Sequence, residues 1–433
     1  MSVSSQSSVP AESFRAPRPP ARARVAFALA AVLTGVGAGL GGMALALLLH
    51  GIQHLAYGYS AAHLISDESF LQGVTGTTPL RRVLVLIGCG VVAGGGWWAL
   101  YRFGRPLVSI RRAVASDDPR LPPASTTIHA LLQIVTVALG SPLGREVAPR
   151  EIGALWAGWL AWRAGLSLDE RRILVACGAG AGLAAVYNVP LGGAVFVLEV
   201  LIGSFGWRAL APAFATSAIA ALVAWIGLGN EHQYRVPALA LTPSLVVWAA
   251  VCGPLFGAAA WGFARLAERA RGAAPKDWRL PVFALLNFAC IGVLAMGFPQ
   301  LLGNGKGPAG LSFDSGLGIG LAATLLALRV AITLGSLRAG AEGGLLTPGI
   351  ANGALLAIVL GGAWSLAWPG TALGAYAVVG AGAFLAASMR MPLTAVVLML
   401  EFTRVDHDFL FPILLAVAGA IVTADRLARR VDR

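Results

Sequence analysis

Residues 187–200 read Tyr-Asn-Val-Pro-Leu-Gly-Gly-Ala-Val-Phe-Val-Leu-Glu-Val, and residues 389–402 read Met-Arg-Met-Pro-Leu-Thr-Ala-Val-Val-Leu-Met-Leu-Glu-Phe. Each has Pro-Leu, an apolar run, and a glutamate nine positions after the proline, Pro190 to Glu199 and Pro392 to Glu401. Upstream of each lies a Gly/Pro element followed by Gly-Ala-Leu. The first is Gly144-Arg-Glu-Val-Ala-Pro149 with Gly153-Ala-Leu, and the second is Gly343-Gly-Leu-Leu-Thr-Pro348 with Gly353-Ala-Leu. The upstream and downstream prolines are 41 and 44 residues apart. One such match can arise by chance in an apolar chain; several in the same order mark an internal duplication.

The duplicated chain belongs in a bilayer. Of its 433 residues, 57% are hydrophobic and 12% charged, where soluble domains carry about 25% charge. Charge-free apolar stretches cover 25–49, 83–101, 236–264 and 280–305, and a helical span needs roughly 20 such residues. The expected fold is therefore all-α and polytopic. We divide it into a disordered tail (1–24), a first membrane repeat (25–228), a linker (229–241), a second repeat (242–425) and a basic tail (426–433). Cys89, Cys177, Cys252 and Cys290 sit within apolar runs without metal-ligand spacing, as small buried hydrophobes do. No metal or cofactor is expected.

Charge sets the orientation. The first tail carries Arg15, Arg18, Arg22 and Arg24 against Glu12 alone; the last residues and the stretch 265–279 are also basic. By the positive-inside bias these face the cytoplasm. Residues 227–242 hold a single arginine and are expected outside. The first half then crosses an odd number of times, and the second is inverted relative to it. Topology accounts for most of the net charge of +12. Basic residues are not interleaved with aromatics as a nucleic-acid surface requires, so no nucleic-acid partner is expected. The apolar segments 127–140, 173–186, 191–203 and 393–400 are too short to cross alone, and several are bounded by Gly or Pro. They suit helices that break inside the membrane, an arrangement found where inverted repeats meet around a transport site.

Glu146 lies in the first Gly/Pro element, between apolar segments. Gly144 permits a sharp entry and Pro149 suits a first helical turn. The free N–H groups of such a start, with the positive end of the helix dipole, make an anion site. A carboxylate there occupies the site until it is protonated or moved. As an intramembrane acid it is a functional candidate, against the plainer reading of a cap or a partner of Arg145. Arg150 and Glu151 read as interfacial or ion-paired. The second element, Gly340-Ala-Glu-Gly-Gly-Leu-Leu-Thr-Pro348, repeats the logic, with free N–H groups at Leu345 and Leu346. His50 and His54, one turn apart, read as packing or interface residues, and Lys306 as a loop residue with at most a weak funnelling role. An intramembrane enzyme would need a nucleophile with a base; Ser141 is the one tempting candidate and no histidine falls near it in sequence.

At these residues the chain resembles the CLC chloride channels and proton–chloride exchangers. The family's Gly-Arg-Glu-Gly-Pro motif is similar to Gly144-Arg-Glu-Val-Ala148, with Pro149 shifted by one place. Its Gly-x-Phe-x-Pro motif is similar to Gly344-Leu-Leu-Thr-Pro348, with Leu346 for Phe. The segments 182–190 and 386–392 carry the likeness further. The resemblance, over about 30–425, implies an inverted-repeat CLC-type fold with tilted and broken helices, of the bacterial type without regulatory domains. It implies a homodimer in the cell membrane, both termini cytoplasmic, with one anion pathway per subunit. Glu146 would be the external gate and proton acceptor. Arg145, Val147, Gly344, Leu345, Leu346 and Thr347 would form the anion site. Chloride or a similar small anion, protons and lipid are the expected partners.

The departures are specific. The family's Gly-Ser-Gly-Ile-Pro element has its best match in Gly104-Arg-Pro-Leu-Val108, which puts Arg105 in the serine's place. Nothing past Phe411 is a tyrosine, where the family has one. Val200 stands where coupled members often carry a second glutamate; Glu199 is a possible proton-route substitute or a structural cap. Proton-coupled exchange is the leading expectation, a passive channel of the same family the alternative. Another inverted-repeat transporter and an intramembrane enzyme are the remote ones.

Overall fold

The computed structural model describes residues 21–58 and 69–431. Most of the expected disordered tail therefore lies outside the described residues. Helix α1 (Ala21–Tyr57) already begins at Ala21, before the expected boundary at 25, because Ala-Arg-Ala-Arg is a good helix-forming run. It is followed by α2 (Phe70–Gly76), α3 (Pro79–Phe103), α4 (Ile110–Ala115), α5 (Pro123–Ala138), α6 (Val147–Arg163), α7 (Leu168–Tyr187), α8 (Pro190–Phe196) and α9 (Trp207–Leu228). The second half holds α10 (Pro243–Gly272), α11 (Arg279–Gly297), α12 (Lys306–Phe313), α13 (Ile319–Arg338), α14 (Leu346–Ser365), α15 (Leu373–Met389), α16 (Pro392–Thr403) and α17 (Leu410–Val431). The last helix takes up most of the expected basic tail, whose arginines favour a helix C-terminus.

Eight of these helices are long and apolar enough to cross a membrane, and α5, α15 and α16 are shorter apolar ones. The chain is a polytopic, all-α membrane protein. Its exposed surface is rich in large apolar side chains such as Leu84, Val91, Ile226, Val251, Leu286 and Val293. A water-facing surface would not tolerate these, whereas lipid does. Cys290 is on that exposed surface and not buried as expected; the other three cysteines are buried.

The two halves repeat one packing scheme. Helix α6 lies on α7 as α14 lies on α15, and α1 lies on α9 as α10 lies on α17. Asn188 and Arg390, two residues before the repeated prolines, both adopt left-handed backbone, with φ of 54° and 53°. The ends of the helices gather on two faces. One is arginine-rich: Arg172 pairs with Asp117 at 3.1 Å, Lys276 lies over the Tyr101 ring and Arg338 over Phe283. On the opposite face Asn188 bonds Asn230, Thr242 bonds Thr371, and Trp364 bonds Ser244. Helix α6 starts at mid-depth and runs to the basic face, while α14 starts beside it and runs to the opposite face. The halves are thus inverted.

The repeated spacing from proline to glutamate has a structural cause. Each of α8 and α16 starts on its proline with unpaired N–H groups that neither water nor lipid satisfies. Glu401 of α16 accepts from Leu191 N at 3.0 Å and Gly192 N at 2.6 Å, at the start of α8. Glu199, on the π-helical turn Val197–Ile202 after α8, accepts from Leu393 N at 2.9 Å and Thr394 N at 2.7 Å, at the start of α16. Each half caps the other's broken helix, and charged acceptors make such bonds strong. Glu199, offered from sequence as a possible proton carrier, is held as a cap.

Glycines let the layers touch backbone to backbone. A Cβ on Gly153 of α6 would collide with Gly178 O of α7, and one on Gly182 with Pro149 O. These helices cannot separate without exposing the start of α6. Gly153→Val is expected to destabilise the protein by about 2 kcal/mol or more, read as a fall in the thermal unfolding midpoint in detergent. An unchanged midpoint would show that the contact is dispensable.

Candidate functional site

Mid-depth, the connections before α6 and α14 meet. Gly144 and Gly344 form a single antiparallel bridge: Gly144 N donates to Gly344 O at 2.7 Å, and Gly344 N to Gly144 O at 2.9 Å. Any residue can make such a pair; what the absent side chains leave is room beside the bridge for the Glu146 carboxyl. The loops are locked from behind by Arg329 of α13, fully buried, whose guanidinium donates to Leu301 O, Gly303 O and Pro142 O. Gly303 N also donates to Gly140 O at 2.9 Å.

The bridge aims two helix N-termini at one point. Glu146, fully buried, is the residue before α6, and its side chain lies across to the start of α14, where Leu346 N donates to Oε1 at 2.7 Å. Tyr187 OH, at the end of α7, donates to Oε2 at 3.5 Å and lies 3.3 Å from Thr347 Oγ1. A Cβ on either Gly144 or Gly344 would run into the Glu146 carboxyl. Arg145 is buried with its guanidinium over the Tyr187 ring, 5.4 Å from the centroid. Two dipole ends, each equivalent to roughly half a positive charge, one N–H donor, a hydroxyl and a nearby arginine all favour negative charge here. The carboxylate occupies a place built for an anion.

Of the residues expected at the site, Arg145, Glu146, Gly344, Leu346 and Thr347 are brought together. Leu345 is the residue before α14, and Val147 opens α6 half-buried. Neither has a side-chain bond to the carboxylate. Arg105 is exposed in the connection between α3 and α4, where Ser109 caps α4. Tyr187 was not singled out from sequence, although a phenol ending an apolar run three residues before Pro190 is a signal. Glu151, expected at an interface or in an ion pair, is buried and paired with His129, 2.9 Å away.

Cavities approach from both faces. On the face opposite the basic one, a cavity of about 560 Å³ reaches Arg145, Tyr187 and Thr347. Its walls include His50, His54 and His232, and its cations Arg145, Arg235 and Lys306 outnumber the acids Glu231 and Asp314. Burial together with the nearby Arg404 pushes the His232 pKa down, which keeps that loop histidine neutral at pH 7. From the basic face, a cavity of about 440 Å³ is lined by Tyr101, Glu268, Arg271, Lys276, Gly340 and Glu342. The first cavity thus ends at the residues around the Glu146 carboxyl, and the second at Gly340 and Glu342 in the connection before α14.

The family model for the voltage gated chloride channel matches residues 88–425. A ClcB-like chloride channel protein of Ralstonia nicotianae is 30% identical over 328 residues, covering 72% of this chain and 74% of the relative. An H(+)/Cl(-) exchange transporter, ClcA, of Salmonella arizonae is 28% identical over 421 residues, covering 93% and 86%. The crystal structure of a slow cyanobacterial Cl-/H+ antiporter superposes with a TM-score of 0.78 at 20% identity, covering 95% of this chain and 96% of that one. That likeness supports the fold.

Filling the carboxyl's seat tests the geometry. Gly144→Ala and Gly344→Ala are each expected to lower anion flux from loaded vesicles by about tenfold or more, because the added methyl takes the space that the Glu146 carboxyl occupies. Wild-type flux in both would refute the seat.

Proposed function

The chain belongs to the voltage gated chloride channel family, and we propose that it exchanges chloride, or a similar small anion, for protons across the cell membrane, with Glu146 as gate and proton acceptor. The observation that carries this reading is the buried Glu146 carboxylate, bonded to Leu346 N at 2.7 Å between two helix N-termini. As an anion it competes with chloride for the same donors. Protonation removes its charge and weakens its hold, so the seat opens to chloride as a proton is taken up. Return of the carboxylate expels the anion and releases the proton. One group thus links the two fluxes, which a passive path does not require.

The basic face, bearing Arg163, Arg271, Arg338 and Arg429, is assigned to the cytoplasm by the positive-inside bias. Both termini then lie there, and the cation-lined cavity opens outside, where its charge draws anions toward Arg145. The domain division at 228 and 242, and the anion-binding set Arg145, Val147, Gly344, Leu345, Leu346 and Thr347, belong to the same proposal. So do a homodimeric state and transport in place of catalysis. A passive channel is the second reading, favoured by Val200 and by the capping duty of Glu199.

Paired chloride and proton fluxes in liposomes test it. Wild type is expected to move protons uphill when a chloride gradient drives the exchange. Glu146→Gln is expected to keep moving chloride while proton movement falls by about a hundredfold. Chloride flux without protons in wild type would select the channel reading. Unchanged coupling in the variant would remove Glu146 from the gate.

A further inference from the structure

A gate that takes protons from both sides needs a carrier between Glu146 and the basic face. Val200 offers none, and Glu199 is spent on the N–H groups of α16. The structure holds another set of polar groups at membrane depth, between α5 and α6. His129 and Glu151 are nine-tenths buried and Gln133 wholly so. His129 Nδ1 lies 3.0 and 2.9 Å from the two Glu151 carboxyl oxygens, and Gln133 Nε2 is 3.3 Å from Oε2. We propose that His129 and Glu151, positioned by Gln133, are the inner proton carrier that loads Glu146 from the basic face. This rests on the exchange reading.

Position along α6 supports the assignment. The helix runs from Glu146 toward the basic face, so Glu151 is five residues further in, about 7.5 Å along the axis. Arg150, its guanidinium 4.3 Å from the Phe196 ring centroid, interacts electrostatically with both Glu146 and Glu151. Towards the basic face lie Glu342, in the connection before α14, and Arg271, near the end of α10. Both line the basic-face cavity, where Tyr101 OH donates to Glu342 Oε1 at 3.1 Å and Arg271 lies 3.6 Å from Glu342. The titratable groups assigned to the relay are thus Glu342 at the cavity, His129 with Glu151, and Glu146.

The cluster is poorly explained as packing. Its neighbours at the α5–α6 contact are Ala130, Ile134, Val137, Ala138 and Ala148, which fill the interface without polar help. A buried hydrogen-bonded acid and base add little stability over an apolar pair of the same shape, and at membrane depth they are costly. Among the described residues, Gln133 Oε1 and, beside the His129 ring, Trp97 Nε1 have no hydrogen-bond partner. Such atoms are sites for the short water links that a proton needs to cover 7 Å or so. In the step itself the O–H bond of protonated Glu151 breaks, the proton crosses by water, and an O–H bond forms on the Glu146 carboxylate. Glu151 is left anionic and regains a proton through His129 from the basic face. No electrons are transferred.

Glu151→Gln keeps the shape and a hydrogen-bonding partner but cannot carry the proton; His129→Gln is the second variant. Wild type and variants are compared for chloride and proton flux in the same liposomes. We expect the proton-to-chloride ratio to fall by about tenfold or more in each variant, the chloride movement that remains being uncoupled. An unchanged ratio overturns the assignment. So does a proportional loss of both fluxes, or failure of both variants to fold, since either marks a structural pair. Wild type that moves chloride without protons overturns the exchange reading itself, a result distinct from the variant outcomes.

Discussion

Unpaired backbone N–H groups inside a bilayer have nowhere to go, and that constraint organises this protein. A helix that starts at mid-depth exposes donors that lipid cannot satisfy. Two such starts, α6 and α14, are brought to one point by the bridge between Gly144 and Gly344. Their donors and dipoles are partly met by Glu146, which lies on Leu346 N. The acceptor is a carboxyl side chain, so the place where the two helices restart is one that favours negative charge.

The same necessity recurs at α8 and α16, with a different answer. There Glu401 and Glu199 each accept two N–H groups from the other half's helix. These carboxylates hold the halves together and are not in line with either cavity. The contrast explains how four acids inside the fold divide their work. Two cap helices across the repeat, one lies between the starts of α6 and α14, and Glu151 pairs with a histidine of α5. Distance to a cavity and the number of backbone donors held separate the roles.

Much of this was legible in the chain. The spacing of Pro190 to Glu199 and Pro392 to Glu401 marked the duplication, though not that each glutamate caps the other half's helix. The two Gly/Pro elements marked where helices restart, and arginine placement gave the inverted topology. Tyr187 was quoted in the repeat but not given a role, since its value comes from reaching Glu146 and Thr347 across 41 and 160 residues. The pairing of His129 with Glu151 was hidden for the same reason: 22 residues separate them, with a chain reversal between.

The sequence by itself determined an all-α membrane protein of two inverted halves, and Glu146 at a restarted helix. These depend on periodicity, on charge and on what a bilayer forbids, all of them local to the chain. Only the tertiary structure decided that Glu199 is a cap, that Tyr187 and Thr347 share the carboxyl's pocket, and that a second acid, Glu151, pairs with a histidine one turn further along α6. Those roles depend on which group meets which across the interface between halves. In an apolar sequence that offers few polar groups, packing geometry alone selects the partners.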